Sequence, residues 1–188
     1  MEALGAALGR RVIALVGMMG SGKTSIGKRL AAKLGLPFVD SDAEIEMAAG
    51  MTISEIFDRH GEPYFRDGER RVIARLLGEG PCVLATGGGA FMDARTREAI
   101  AKAGISVWLR ADHATLTQRI MRRNNRPLMR TTDPALQVER LLALREPIYA
   151  QADLTVDSSD RPHGEVVGAL IRSLLAHLRL SLASPAAP

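Results

Sequence analysis

Residues 17–24 read GMMGSGKT, a glycine-rich octet ending in an adjacent lysine and threonine. The spacing fits G-x-x-x-x-G-K-[ST], in which glycines let successive backbone N–H groups turn inward on phosphate oxygens. An apolar run, RVIALVG at 11–17, precedes the octet and a helical period follows it, which is the context the motif requires. The positive end of that helix adds to the anion site. Met19, Gly20, Ser21, Gly22, Lys23, Thr24 and Ser25 are therefore expected to bind a nucleotide. Lys23 would reach the outer phosphates, and the Thr24 hydroxyl suits a magnesium ion.

In many proteins with such a loop, a later apolar strand ends in an aspartate that helps hold the metal. Here the later run, CVLATGGGA at 82–90, ends in glycines. The acids lie instead in FVDSD, where Asp40 and Asp42 are two residues apart and share one side of an extended chain. Carboxylates this close repel unless a cation or a donor stands between them. Asp40 is expected in the magnesium shell, through water, because the ion dehydrates reluctantly. Asp42, opening the next helix, is expected to accept a hydrogen bond from a substrate hydroxyl; a plain helix-capping role is the alternative. In EPYFRDGER, Arg66 and Glu69 sit three apart on a helix, so Glu69 can hold the guanidinium. A solvated surface pair is the competing account.

These residues must be positioned by alternating elements. Five short apolar runs, at 11–17, 36–41, 82–88, 105–110 and 153–158, alternate with helix-like segments. Most lack polar alternation, as expected of parallel strands covered on both faces. Ile26, Leu30 and Leu34 recur every four residues before Gly35, and Val72, Ile73, Leu76 and Leu77 form a second stripe. Leu116 and Ile120 continue the pattern, Asp133-Pro134 reads as a cap followed by proline, and Val166 to Leu178 make a last amphipathic helix. The expected fold is α/β, a three-layer α/β/α sandwich around a five-stranded parallel sheet. Ligands in such folds bind at the carboxyl ends of the strands.

The whole composition narrows the classes. At 188 residues, 46% hydrophobic and 24% charged, the chain fits one soluble domain, 1–188, with a core over about 11–180 and a disordered tail at 181–188. A single cysteine, Cys82, excludes an intramolecular disulfide and a multi-cysteine metal site. The start lacks a signal-peptide pattern and no apolar run is long enough to span a bilayer, so a cytoplasmic location is expected. Arg119, Arg122, Arg123, Arg126 and Arg130 cluster without interleaved aromatics, which argues against nucleic acid as a partner. The four histidines have no metal-ligand spacing.

The set GMMGSGKT, FVDSD, FRDGE and TGGG, in that order, with RPL at 126–128 and LREPIY at 144–149, resembles shikimate kinase. The likeness runs from about Arg11 to Leu178. It implies a phosphate-loop fold of the nucleoside monophosphate kinase type with a mobile lid over about 121–133. It also implies transfer of the γ-phosphoryl group of ATP to the 3-hydroxyl of shikimate, with Mg²⁺ as cofactor. By that resemblance Lys23, Asp42 and Arg126 are catalytic, and Thr24 and Asp40 serve the metal. Asp42, Arg66, Gly88, Gly89 and Arg145 meet the substrate, and Arg119, Arg126 and Pro162 meet the nucleotide. The glycines of TGGG would leave room for the acceptor and offer it backbone N–H groups. A monomer is expected. Kinases acting on gluconate or a nucleoside monophosphate remain as alternatives, as does a catalytically silent nucleotide-binding regulator.

Overall fold

The computed structural model describes residues 2–121 and 133–183. Five strands, β1 (Val12–Val16), β2 (Phe38–Asp40), β3 (Val83–Ala85), β4 (Gly104–Arg110) and β5 (Leu154–Asp157), form one parallel sheet in the order β2-β3-β1-β4-β5. Every residue of β1 is buried, as a central strand covered on both faces requires. Helices α1 (Glu2–Leu8), α2 (Lys23–Leu34) and α8 (His163–Ala183) pack one face of the sheet, through Leu4, Leu8, Ile26, Leu30, Val166, Val167 and Leu170. The other face meets α4 (Ile53–Gly78), α5 (Ala94–Ala103), α6 (His113–Met121) and α7 (Pro134–Tyr149), through Ile73, Leu76, Ile100, Leu116 and Val138. Trp108 and Cys82 lie in this second core, as hydrophobes do.

Two boundaries differ from the sequence expectation. The core expected to begin near residue 11 reaches back to Leu4 and Leu8, 1% and 2% exposed, because the short helix α1 lays one i,i+4 pair against α8. At the other end, α8 continues to Ala183 rather than ending before residue 181.

Local rules set the elements that carry the site. Gly22 (φ 92°) caps α2 in the left-handed region, a conformation that glycine adopts without strain. Helix α3 (Ser41–Ala49) follows β2 directly and is capped by Asp40, whose side chain accepts from the Asp42 N–H. Helix α4 opens with a Thr52–Glu55 capping box and bends at Gly61 (φ 80°, ψ 171°), two residues before Pro63. Its first half therefore ends at His60, and its second half carries Arg66 and Glu69. Asp133 accepts from the Leu136 N–H and Pro134 follows as the first residue of α7.

Candidate active site

The carboxyl ends of β1, β2 and β3 open on a cavity of about 380 Å³ lined by Gly20, Gly22, Lys23, Thr24, Ser25, Asp40, Asp42, Thr86, Gly88, Arg119 and His163. Lys23 Nζ bridges two carbonyls at the mouth of the phosphate loop, Gly17 O at 2.8 Å and Met18 O at 3.0 Å. The Thr24 hydroxyl donates to Asp40 Oδ2 at 2.8 Å. Asp40 Oδ1 accepts from the Asp42 N–H at 3.1 Å, so the capping role belongs to Asp40 and leaves the Asp42 carboxylate on the cavity wall. The side chains of Met19 and Ser21 do not face this cavity. They are buried, 7% and 0% exposed, because a loop that turns its N–H groups inward turns its side chains toward the core. Any contact from these two residues to a phosphate is a backbone contact.

Arg66 and Arg145 stand behind the glycine turn rather than on the cavity lining itself. Glu69, only 3% exposed, accepts from Arg66 Nη1 at 2.7 Å, while Glu62 accepts from Arg66 Nε and Nη2 at 3.1 and 2.9 Å. The pair is thus no solvated surface bridge. Burial pushes the Glu69 carboxyl above its ordinary value, Arg66 pulls it back and Asp42 adds to the rise. Burial works against the charge on Arg66, but Glu69 and Glu62 hold its proton more firmly than usual. Arg145, 9% exposed, donates from Nη1 to Gly88 O at 3.3 Å.

The glycines have a more specific role than leaving space for a ligand. A Cβ on Gly87 would stand 2.6 Å from Glu69 Oε1 and 2.7 Å from Asp42 Oδ1. One on Gly89 would stand 2.6 Å from Arg66 Nη1, and one on Gly88 would stand 3.2 Å from the Met19 nitrogen of the phosphate loop. The missing side chains are what let three charged groups and the loop close around one turn. The Gly87 N–H is itself held by Ser41 Oγ at 3.0 Å.

On the nucleotide side, Arg119 donates to Gly20 O at 3.3 Å and Ser158 O at 3.0 Å, tying α6 to the phosphate loop and to the end of β5. Pro162 precedes α8 and its carbonyl accepts from Glu165 and Val166; its neighbour His163, not Pro162, lines the cavity. Arg126 lies outside the described residues. Thr24 and Asp40 supply adjacent oxygen donors on the lining, the ligand type that hard divalent ions take. Among the described residues no group of three or more His, Cys, Asp or Glu could hold a metal unaided, so a cation here would also need ligands from the bound phosphates.

The family profile of shikimate kinase matches residues 19–175. The chain belongs to the shikimate kinase family. The shikimate kinase of Bradyrhizobium diazoefficiens is 62% identical over 172 residues, 92% of this chain and 83% of that one. The shikimate kinase of Brucella canis is 51% identical over 179 residues, covering 95% and 90%. Among solved structures, shikimate kinase from Acinetobacter baumannii in complex with shikimate is similar at a TM-score of 0.88 and 37% identity, covering 92% of this chain and 97% of that chain. A gluconokinase from Sinorhizobium meliloti, at 22% identity and a TM-score of 0.59, shares the fold.

Within this shikimate kinase framework, four residues of the site escaped the sequence reading. Gly87 was hidden in a run of three glycines, and Ser41 lay unremarked between the two aspartates of FVDSD. Thr86 precedes the glycines and donates to Leu15 O at 3.0 Å as well as lining the cavity. His163 had no motif around it; burial and the nearby Arg29 and Arg119 lower its pKa.

Proposed function

We propose that this chain transfers the γ-phosphoryl group of ATP to the 3-hydroxyl of shikimate, giving shikimate 3-phosphate and ADP, a step toward aromatic amino acids. The observation that carries this assignment is the meeting of two kinds of site at one turn. The phosphate loop and Asp42 line a single cavity, and the glycine turn at its wall is backed by the guanidinium groups of Arg66 and Arg145. A polyphosphate and a carboxylated polyol are thereby served side by side.

Phosphoryl transfer depends on positioning and charge stabilisation more than on covalent chemistry. Arg66 and Arg145 hold the carboxylate, for which a planar fork of N–H donors is well matched. Asp42 orients the 3-hydroxyl toward the γ-phosphorus and accepts its proton. Lys23 exchanges its two loop carbonyls for the outer phosphate oxygens, and Arg126 stabilises charge at the γ-phosphate. Arg119 and the segment around Pro162 and His163 border the nucleotide. Thr24 and Asp40 would hold Mg²⁺, which supplies charge neutralisation on the phosphate oxygens. The chain acts as a single domain, a monomer in the cytoplasm. No helix among the described residues is long and apolar enough to cross a membrane.

ADP formation from ATP and Mg²⁺ against shikimate, gluconate and nucleoside monophosphates tests the assignment. Release that depends on shikimate alone is expected; release driven by gluconate or a nucleoside monophosphate would replace it. Gly87→Ala gives a finer check. Its Cβ would displace Asp42 and Glu69, so KM for shikimate should rise on the order of tenfold while KM for ATP holds. An unchanged KM would mean that the turn yields without moving the acceptor groups.

A further inference from the structure

One residue of LREPIY reaches the site without belonging to the phosphate loop or to the carboxylate grip. Tyr149 follows Arg145 by four residues on α7, so both project from one face. Its ring is 1% exposed and stacks on Trp108 of β4, with centroids 5.9 Å apart and planes at 25°. Its hydroxyl donates to the carbonyl oxygen of Gly88, the same atom that accepts from Arg145 Nη1. Burial pushes the phenol up to about 12, so the hydroxyl keeps its proton and remains a donor through the physiological range.

Filling a core position asks only for a ring, and phenylalanine would do. A buried hydroxyl must also find a partner. Here the partner is the backbone of the glycine turn, 61 residues away in sequence. Three successive glycines carry no side chains to set the orientation of their own peptides. The turn's own backbone holds the Gly87 and Gly89 carbonyls, through the Ala90 and Met92 N–H groups, whereas the Gly87 N–H and the Gly88 carbonyl are held from outside, by Ser41 Oγ and by α7. The two donors from α7 match the two lone pairs of that oxygen. The peptide is planar and trans, so gripping the Gly88 carbonyl from α7 turns the Gly89 N–H the opposite way.

We propose that Tyr149 is a positioning residue for the acceptor: its hydroxyl, together with Arg145, locks the Gly88–Gly89 peptide in the orientation that shikimate binds. This rests on the assignment of shikimate as acceptor. Tyr149 acts on the acceptor half of the site because its partner is the glycine turn and not the nucleotide-binding loop. It also spares Arg145 from holding the carbonyl alone.

Steady-state kinetics of Tyr149→Phe, beside Trp108→Phe as a packing control, test the proposal. Tyr149→Phe should raise KM for shikimate by about tenfold, leave KM for ATP within about twofold and keep the melting temperature within a few degrees. Trp108→Phe loosens the ring but keeps the hydroxyl, so it should lower the melting temperature without changing the ratio of the two KM values. The proposal is overturned if Tyr149→Phe leaves the shikimate KM unchanged, raises both KM values in proportion, or fails to fold. It is equally overturned if Trp108→Phe reproduces the split. A wild-type chain that does not phosphorylate shikimate would instead overturn the assignment of the acceptor.

Discussion

Asp42→Asn is expected to lower kcat by about 10³-fold, within the range that a positioned general base contributes. The fold should survive the change, because the helix cap is Asp40: its carboxylate takes the residue-42 N–H, which asparagine retains. Loss of the Asp42 charge also removes a repulsion felt by the buried Glu69. Nucleotide binding should persist, since Lys23 and Thr24 belong to the loop and α2. The structure has removed the capping alternative for Asp42, so the outcome tests its part in the chemistry alone. Because the cap already belongs to Asp40, near-normal turnover of Asp42→Asn would remove the Asp42 carboxylate from the chemistry.

Arg66→Ala is expected to raise KM for shikimate by about 10²-fold and to lower stability at once, the latter because an unpaired buried charge costs about 3–5 kcal/mol. The two effects have different origins and can be separated. Glu69 is almost wholly buried and takes its hydrogen bond from Arg66 Nη1, so removing the guanidinium strands a carboxylate in the core. In Arg66→Ala/Glu69→Gln that carboxylate is gone. The double variant should therefore recover most of the melting temperature while keeping the raised KM, checked by thermal unfolding beside initial-rate kinetics. Recovery of both together would mean that Arg66 matters only through the fold.

What the sequence disclosed follows the range of the forces involved. The phosphate loop, strand β1 and helix α2 were legible because one contiguous motif carries their geometry, with Gly22 and Gly35 as its punctuation. The Arg66–Glu69 pair was legible as an i,i+3 contact, but its burial was not, because the glycine turn and the Asp42 carboxylate that close on it come from distant segments. The same holds for Gly87. Its need to lack a side chain arises from Asp42 on α3 and Glu69 on α4, which only the tertiary fold brings together. Which of Asp40 and Asp42 caps α3 could not be read from an i,i+2 spacing, since either carboxylate could reach an exposed N–H. Helix α1 has too few turns to display a period, and its two leucines gain meaning only against α8. His163 enters the site because β5 sits beside β4 at the sheet edge, and strand order has no local signature.

Whether the acceptor's carboxylate is anchored while its 3-hydroxyl faces the nucleotide is asked most directly by ³¹P NMR of the product formed from ATP, Mg²⁺ and shikimate. A single new phosphate monoester resonance, coupled to the ring proton at carbon 3 and appearing in step with ADP, is the expected result. A phosphate on a different hydroxyl, or inorganic phosphate released at a rate indifferent to shikimate, would contradict it.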